Sequence, residues 1–283
     1  VKVFHHNDLD GECAAAIVGY ALPQEEPEYC EMWYGRALPV RAVGDDEPVV
    51  IVDFSVPEAE MAELLKRTER VMWIDHHKTA ARYDYGRELK GSRDFSGQFA
   101  ACELTWGVFF RGIAMPLAVR LVGDRDKWAW KYGEETARFC AGMASVSSAP
   151  DAEVWIDLLG GVQAAAERIT ERGAVVLDYR REWSQAYRRR YIWQGRFEGR
   201  TVWALNLTHL GSEMFGDYAR LSEVVVGYVH DGREFVVSLY TEEDNLDLGE
   251  LARKYGGGGH RKAAGFRCER LPVVPVARNE EDA

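Results

Sequence analysis

The chain has 283 residues, is 47% hydrophobic and 29% charged, and carries a formal net charge of −11. That length and apolar content fill one large or two medium cores. The negative balance excludes a protein that coats long nucleic acid through a uniformly basic surface. It leaves room for a short anionic substrate in a locally basic or metal-lined pocket, because exposed charges are screened beyond ~10 Å at ordinary salt. No uninterrupted apolar run reaches the ~18 residues of a membrane span, and the first residues lack a charged start followed by an apolar stretch, so a soluble cytoplasmic protein is expected. Cys13, Cys30, Cys102, Cys140 and Cys268 are widely spaced with no CxxC pair. That pattern fits free thiols in a reducing compartment and neither a disulfide framework nor a zinc knuckle.

In chain order, residues 1–6 predict a short strand, the turn Asn7-Asp8-Leu9-Asp10-Gly11 follows, and Cys13 to Val18 begin a small-residue helix. The turn holds His6, Asp8 and Asp10 within five residues, with Gly11 able to open the helix where a side chain would crowd a ligand. Two carboxylates and an imidazole so close together suit a bound cation; an Asx turn that caps the helix is the other reading. The β-branched run Val49-Val50-Ile51-Val52 ends in Asp53. Ser55 and Glu58, with Pro57, read as a capping box for a helix that turns Met61, Leu64 and Leu65 inward. The apolar run Val71-Met72-Trp73-Ile74 then ends in Asp75-His76-His77. Strand, helix, strand with buried-type runs is a parallel β-α-β arrangement, so His6, Asp53 and Asp75 share the carboxyl edge of one sheet, where open α/β sheets bind ligands.

An aromatic-rich helix is expected over residues 98–110 and another from Pro116, stopping at Gly123-Asp124-Arg125-Asp126. Asp124 either joins the same edge or lies in a charge-balanced turn. Trp128 and Trp130 either wall a pocket, stack on a base, or are simply packed, the commonest case. Beyond Pro150 the pattern is long and helical, from Glu153 to Ile169 and from Tyr179 to Tyr191, and Arg188, Arg189 and Arg190 read as a solvated face. Strands follow at 201–205, 224–229 and 235–240, the last two joined by the hairpin turn His230-Asp231-Gly232-Arg233. A short helix from Leu248 to Tyr255 leads to Gly256-Gly257-Gly258-Gly259-His260 and then Ala263-Ala264-Gly265. Glycines there either let amides approach an anion, with His260 and Arg261 as added donors, or form a flexible loop.

The set His6, Asp8, Asp10, Asp53, Asp75-His76-His77 and Asp124, followed by the glycine-rich signature at 256–265, resembles the DHH phosphoesterase superfamily with its DHH-associated C-terminal domain, in motif order and spacing. Within it the arrangement is similar to the oligoribonucleases called nanoRNases. The resemblance implies an α/β fold with a parallel-sheet catalytic domain at 1–150 and a smaller mixed-sheet substrate domain at 196–271; the helical texture of 151–195 reads as a connector between them, and the Pro-containing, acidic stretch 272–283 as a disordered tail. It implies two divalent cations, manganese by expectation: His6, Asp8 and Asp53 would hold one, and Asp10, Asp53, His76 and Asp124 the other, with Asp126 the alternative to Asp124. A hydroxide activated by both metals would attack phosphorus. His77 would face the phosphate, Asp75 would orient a histidine, and Gly257, Gly258, Gly259, His260 and Arg261 would bind substrate in a cleft between domains. The implied activity is hydrolysis of short RNA or DNA oligonucleotides or dinucleotides to mononucleotides, by a protein that can form homo-oligomers. Alternatives are a cyclic mono- or dinucleotide phosphodiesterase, a phosphoadenosine phosphate phosphatase, or a nucleotide-sensing module without turnover. One departure stands out: where related C-terminal domains carry an arginine in a Ser-x-Arg-Ser context, this chain has Ser238-Leu239-Tyr240-Thr241.

Overall fold

The computed structural model describes residues 1–207 and 211–276. The chain divides into two compact units, residues 1–177 and 178–283, with the boundary inside one long helix. No helix among the described residues is long and apolar enough to cross a membrane.

The first unit is built on a four-stranded parallel sheet of order β2-β1-β3-β4, from β1 (Lys2–His6), β2 (Glu28–Met32), β3 (Val49–Val52) and β4 (Val71–Ile74). Alternate residues of β3 face opposite ways, as a strand requires. Val50 and Val52 enter one core with α1 (Leu9–Ala21), α3 (Ala101–Phe109) and α4 (Leu117–Asp126); Val49 and Ile51 enter another with α2 (Glu58–Arg67). A sheet covered on both faces needs apolar residues on both, which is why these runs do not alternate in hydropathy. β1 and β3 are neighbours, but the chain leaves β1 for β2 on its other side. That reversal is a topological switch point, and the crevice at the carboxyl ends of β1 and β3 is where such sheets bind ligands.

Several sequence expectations change in detail. Strand β2 was not anticipated: its Glu-Tyr-Cys-Glu-Met run is a polar edge strand. Ser55 does not cap α2; the helix starts at Glu58 after Pro57, and the Ser55 hydroxyl is buried against Asp75. Residues 123–126 are the last turn of α4, where a stop was expected. The long helical stretch breaks at Gly160-Gly161 into α6 (Val154–Leu159) and α7 (Gln163–Tyr191). Trp155, Leu158, Ala165, Ala166 and Ile169 complete the first unit's core, so much of the segment expected as a connector belongs to that unit. Gly142 of α5 (Glu134–Met143) and Gly173 of α7 allow this packing, since a Cβ on Gly173 would meet the Arg138 carbonyl oxygen at 1.6 Å.

The second unit is a seven-stranded mixed sheet of order β11-β5-β6-β7-β8-β10-β9, with β5 (Trp193–Phe197), β6 (Arg200–Asn206), β7 (Val225–His230), β8 (Phe235–Tyr240), β9 (Gly258–Gly259), β10 (Ala263–Cys268) and β11 (Val274–Pro275). α8 (Leu248–Arg253) packs Leu248, Leu251 and Ala252 against it. Residues 272–276, expected in a disordered tail, bury Val273 and pair β11 with β5; the rest of that tail, 277–283, lies outside the described residues. Arg188 does not line a solvated face, because its guanidinium donates to the Met214 carbonyl at 2.8 Å.

Candidate metal centre

The residues that follow β1, β3 and β4 meet at the crevice. β1 delivers His6, and the turn after it places Asp8 as N-cap of α1, where Oδ1 accepts the Gly11 N–H at 2.9 Å and Oδ2 sits 2.7 Å from His6 Nδ1. The reading of this turn as an Asx cap therefore holds. Gly11 is required by the backbone: a Cβ there would meet the His6 carbonyl oxygen at 2.3 Å. Asp10, nearly fully buried, points to the start of α3 and accepts the N–H groups of Ala101 at 2.8 Å and Cys102 at 3.0 Å. Those are otherwise unsatisfied first-turn donors, and the positive end of the helix favours the carboxylate.

Asp53 follows β3 in the left-handed region, at φ +54°, which Asp tolerates better than most residues. Its carboxylate is 1% exposed, yet neither oxygen accepts a hydrogen bond among the described residues. His76 Nε2 stands 3.2 Å from Asp53 Oδ1, 3.4 Å from Asp126 Oδ2 and 3.7 Å from Asp10 Oδ2. His6 Nδ1 lies 3.8 Å from Asp53 Oδ2, and His77 Nδ1 lies 3.6 Å from Asp53 Oδ1.

Of the two aspartates at the end of α4, the structure brings Asp126 to this centre, not Asp124. Residues two apart on a helix differ by about 200° around its axis, so only one can face the crevice. Asp124 turns to the following loop, where it accepts the N–H groups of Lys131 at 2.7 Å and Tyr132 at 3.3 Å and the hydroxyl of Thr136. Asp75 stands behind the others. It is fully buried and accepts from the Ser55 hydroxyl, the amides of His76 and His77, and His77 Nδ1 at 2.8 Å.

The charges follow this geometry. Burial pushes Asp53 well above the ordinary carboxylate range, and Asp8, Asp10, Asp126 and Asp75 push the same way. Burial, then Asp10 and Asp8, do the same to Asp126 against the opposing Arg125 and Lys127. For Asp8, burial opposes ionisation, but the hydrogen bond and charge of His6 and the Gly11 amide outweigh it. Burial also opposes a charged His77, and the hydrogen bond and charge of Asp75 outweigh it, holding that ring above its ordinary value. A buried carboxylate with no donor among other carboxylates is costly unless a cation completes it. Three donor groups fit that requirement: His6, Asp8 and Asp53; Asp53, His76 and His77; and Asp10, His76 and Asp126. Asp53 belongs to two of them and His76 to two. Carboxylate and imidazole without thiolate is a donor set for a hard or borderline divalent cation.

Sequence reasoning missed Tyr34, whose ring packs 5.2 Å from Phe54, 5.5 Å from His6 and 5.7 Å from His77. Recognising β2 would have found it, since Met32 pairs with His6 and the next residues leave the same sheet edge. His5 is buried with Nδ1 on the His6 carbonyl and takes no part.

In the second unit the glycine run does not present a row of open amides. Gly256 and Gly257 N–H groups donate to the Arg253 and Ala252 carbonyls behind α8, and the His260 N–H donates to Ala263 at 2.8 Å. Gly257 instead permits close approach, as a Cβ would meet the Gly265 carbonyl oxygen at 2.1 Å. Gly258 and Gly259 pair with β10. Arg261 donates to the Asp244 carbonyl and lines an open cleft with Arg200, Lys254, Asp247 and Glu250.

The carboxyl edge of this parallel sheet thus gathers aspartates and histidines that could hold a divalent cation. Residues 1–115 match the model of the DHH family, N-terminal domain. That match places a DHH-family N-terminal domain in the first unit. Among individual proteins, it is 23% identical over 296 residues to oligoribonuclease NrnB of Bacillus subtilis, covering 93% of this chain and 71% of that one. It is 24% identical over 230 residues to the uncharacterized protein R106 of Acanthamoeba polyphaga mimivirus, covering 77% of this chain; the chain spans about half, 52%, of that relative. The fold is similar to the pGpG-specific phosphodiesterase PggH of Vibrio cholerae, with a TM-score of 0.51 at 12% identity, over 97% of this chain and 93% of that one.

Proposed function

We propose that this protein is a manganese-dependent phosphodiesterase that hydrolyses short oligonucleotides, dinucleotides included, to mononucleotides. The observation that carries the reading is Asp53, buried with both oxygens lacking a donor among the described residues, at the meeting of two groups of candidate metal ligands. In this reading His6, Asp8 and Asp53 hold one divalent cation, and Asp10, Asp53, His76 and Asp126 hold the second. When bound, such a pair of cations polarises the phosphoryl group and lowers the pKa of a water placed for in-line attack.

The chain's own side chains do the remaining work. Asp75 fixes the His77 ring through Nδ1 and favours its protonated form, so His77 is suited to donate to a phosphate oxygen or to the departing ester oxygen. The α3 amides hold Asp10 and the Asp75 network holds His77, so neither has to reorganise as charge builds. Arg261 and His260 are the proposed substrate contacts of the second unit. The choice of substrate draws on the likeness to the oligoribonuclease NrnB and the pGpG-specific phosphodiesterase PggH and on the acidic balance of the chain, which disfavours long polyanions.

The test is incubation of a labelled dinucleotide and a labelled pentanucleotide with the protein and manganese. Release of mononucleotide by wild type and not by Asp53→Asn is expected. No release under conditions where calorimetry shows the cation bound would refute the reading.

A further inference from the structure

We propose that Arg125, Trp128 and Trp130 form a stacking clamp for the nucleobase attached to the phosphate handled at the metal centre, and so select base-bearing ligands. The position of that phosphate rests on the phosphodiesterase reading above; the recognition of a base rests on the following geometry.

Trp128 and Trp130 both adopt left-handed backbone, at φ +54° and +52°. That conformation is a genuine outlier for a bulky residue and persists only where the surroundings impose it. Here they do. The Trp128 N–H donates to the Arg125 carbonyl at 3.1 Å and the Ala129 N–H to the Asp124 carbonyl at 3.0 Å, while the buried Asp124 carboxylate takes the amides of Lys131 and Tyr132. An arrangement so firmly held ordinarily serves to bury large rings. These two are displayed: Trp128 is 38% exposed and Trp130 36%, with Ala129 exposed between them.

The two indoles stand edge to face, 5.9 Å between centroids, and the Arg125 guanidinium lies 4.6 Å from one ring and 5.2 Å from the other. Exposed indoles carrying a guanidinium are the chemistry that recognises a nucleobase, whose flat π-face stacks on aromatic rings with little dependence on its identity, and whose phosphate attracts the cation. Position links the clamp to the centre. Arg125 and Asp126 are consecutive in the last turn of α4, so one turn presents a carboxylate to His76 and a cation to the indoles. Trp128 lies two residues beyond Asp126, within about 7 Å along the chain, and Trp130 within about 14 Å.

The test compares binding of a dinucleotide whose scissile bridging ester oxygen is replaced by methylene with its abasic counterpart by calorimetry in the presence of manganese. Wild type is expected to bind the base-bearing ligand at least about tenfold more tightly. Trp128→Ala and Trp130→Ala, each checked for fold by circular dichroism, are expected to lose about five- to hundredfold on that ligand and leave abasic binding unchanged, with Trp128→Phe keeping most of the preference. Equal binding of the two ligands by wild type, binding of neither, or folded alanine variants that keep the preference would overturn the clamp; the wild-type comparison needs no variant to fold. Turnover of the unmodified dinucleotide separates the two ideas. Base-selective binding without hydrolysis leaves the clamp standing and removes the phosphodiesterase reading, and hydrolysis without base selectivity does the reverse.

Discussion

Replacing Asp53 with Asn is the most direct probe of the metal centre, because it should move metal-free stability and metal response in opposite directions. Asn keeps the shape and tolerates φ +54° as well as Asp does, so backbone strain is unchanged. What changes is charge. Both Asp53 oxygens lack a donor among the described residues, and Asp8, Asp10, Asp75 and Asp126 surround them. An unsatisfied buried polar group costs about 1–3 kcal/mol, more when charged, so without metal the variant should be at least ~1 kcal/mol more stable, a rise of about 2–4 °C in Tm. The gain should depend on pH. Asp53 has its folded pKa raised above the ordinary 3.8, so its protonated form stabilises the fold at low pH and that contribution is lost as pH rises through the folded value. The variant's advantage therefore grows with pH over the same range. Manganese at about a hundred times its dissociation constant should add ~2.7 kcal/mol to wild type and little to the variant. Thermal melts at several pH values, with and without manganese, measure all three effects. A variant that melts lower than wild type without metal, or gains as much from manganese, would show that Asp53 is satisfied by the protein and is not a cation ligand.

The two aspartates at the end of α4 should part company. Asp126→Asn is expected to abolish manganese-dependent turnover with an unchanged or higher metal-free Tm, whereas Asp124→Asn should lower stability by ~3 kcal/mol, because its carboxylate binds two amides and a hydroxyl. The Asp124 pKa is lowered, its amide and hydroxyl donors outweighing burial, so its stabilisation is present above 3.8 and is lost as pH falls through the folded value; acid melts should show the two proteins converging there. Gly11→Ala places a Cβ against the His6 carbonyl oxygen and should cost about 1–3 kcal/mol, read as a lower urea midpoint together with weaker manganese binding. Ser55→Ala removes a donor from Asp75, which stays ionised and becomes a stronger acceptor for His77 Nδ1, so the alkaline limb of the pH-rate profile should move to higher pH; an unmoved limb would exclude His77 as the titrating group.

Which parts of this site can be read from residues alone follows from how local each determinant is. β3 and β4 are four-residue apolar runs ending in Asp53 and Asp75, and a buried parallel strand leaves that pattern whatever surrounds it. Strand β2 does not, since an edge strand is solvated on one side and its Glu residues hide the apolar set; with β2 goes Tyr34, which has no motif of its own. Ser55 failed for a different reason. A serine three residues before a glutamate satisfies the capping pattern, but the hydroxyl is 2% exposed beside an ionised carboxylate, and a charge-assisted bond in the interior outweighs a solvated cap. The glycine run likewise carries two possible meanings, amides open to an anion or backbones in close contact, and only tertiary packing chooses between them; Gly257 against Gly265 shows the second at work.

Asp124 and Asp126 show where motif spacing ends and helix phase begins. A motif aligns positions along the chain and is silent about rotation, whereas the centre selects by rotation: α4 continues to Asp126, and two residues of helix turn a side chain most of the way to the opposite face. The aspartate turned away is not idle. By holding the amides after Trp130 it imposes the loop in which both indoles are displayed. Asp124→Asn therefore joins stability to recognition: it should lower Tm and base-selective binding together, while Trp128→Ala lowers binding with little change in Tm, because that ring is more than a third exposed. If Asp124→Asn instead loses stability and keeps its preference for the base-bearing ligand, the indoles hold their places without the buried carboxylate, and the left-handed backbone at 128 and 130 must be imposed by the rings and Arg125 themselves.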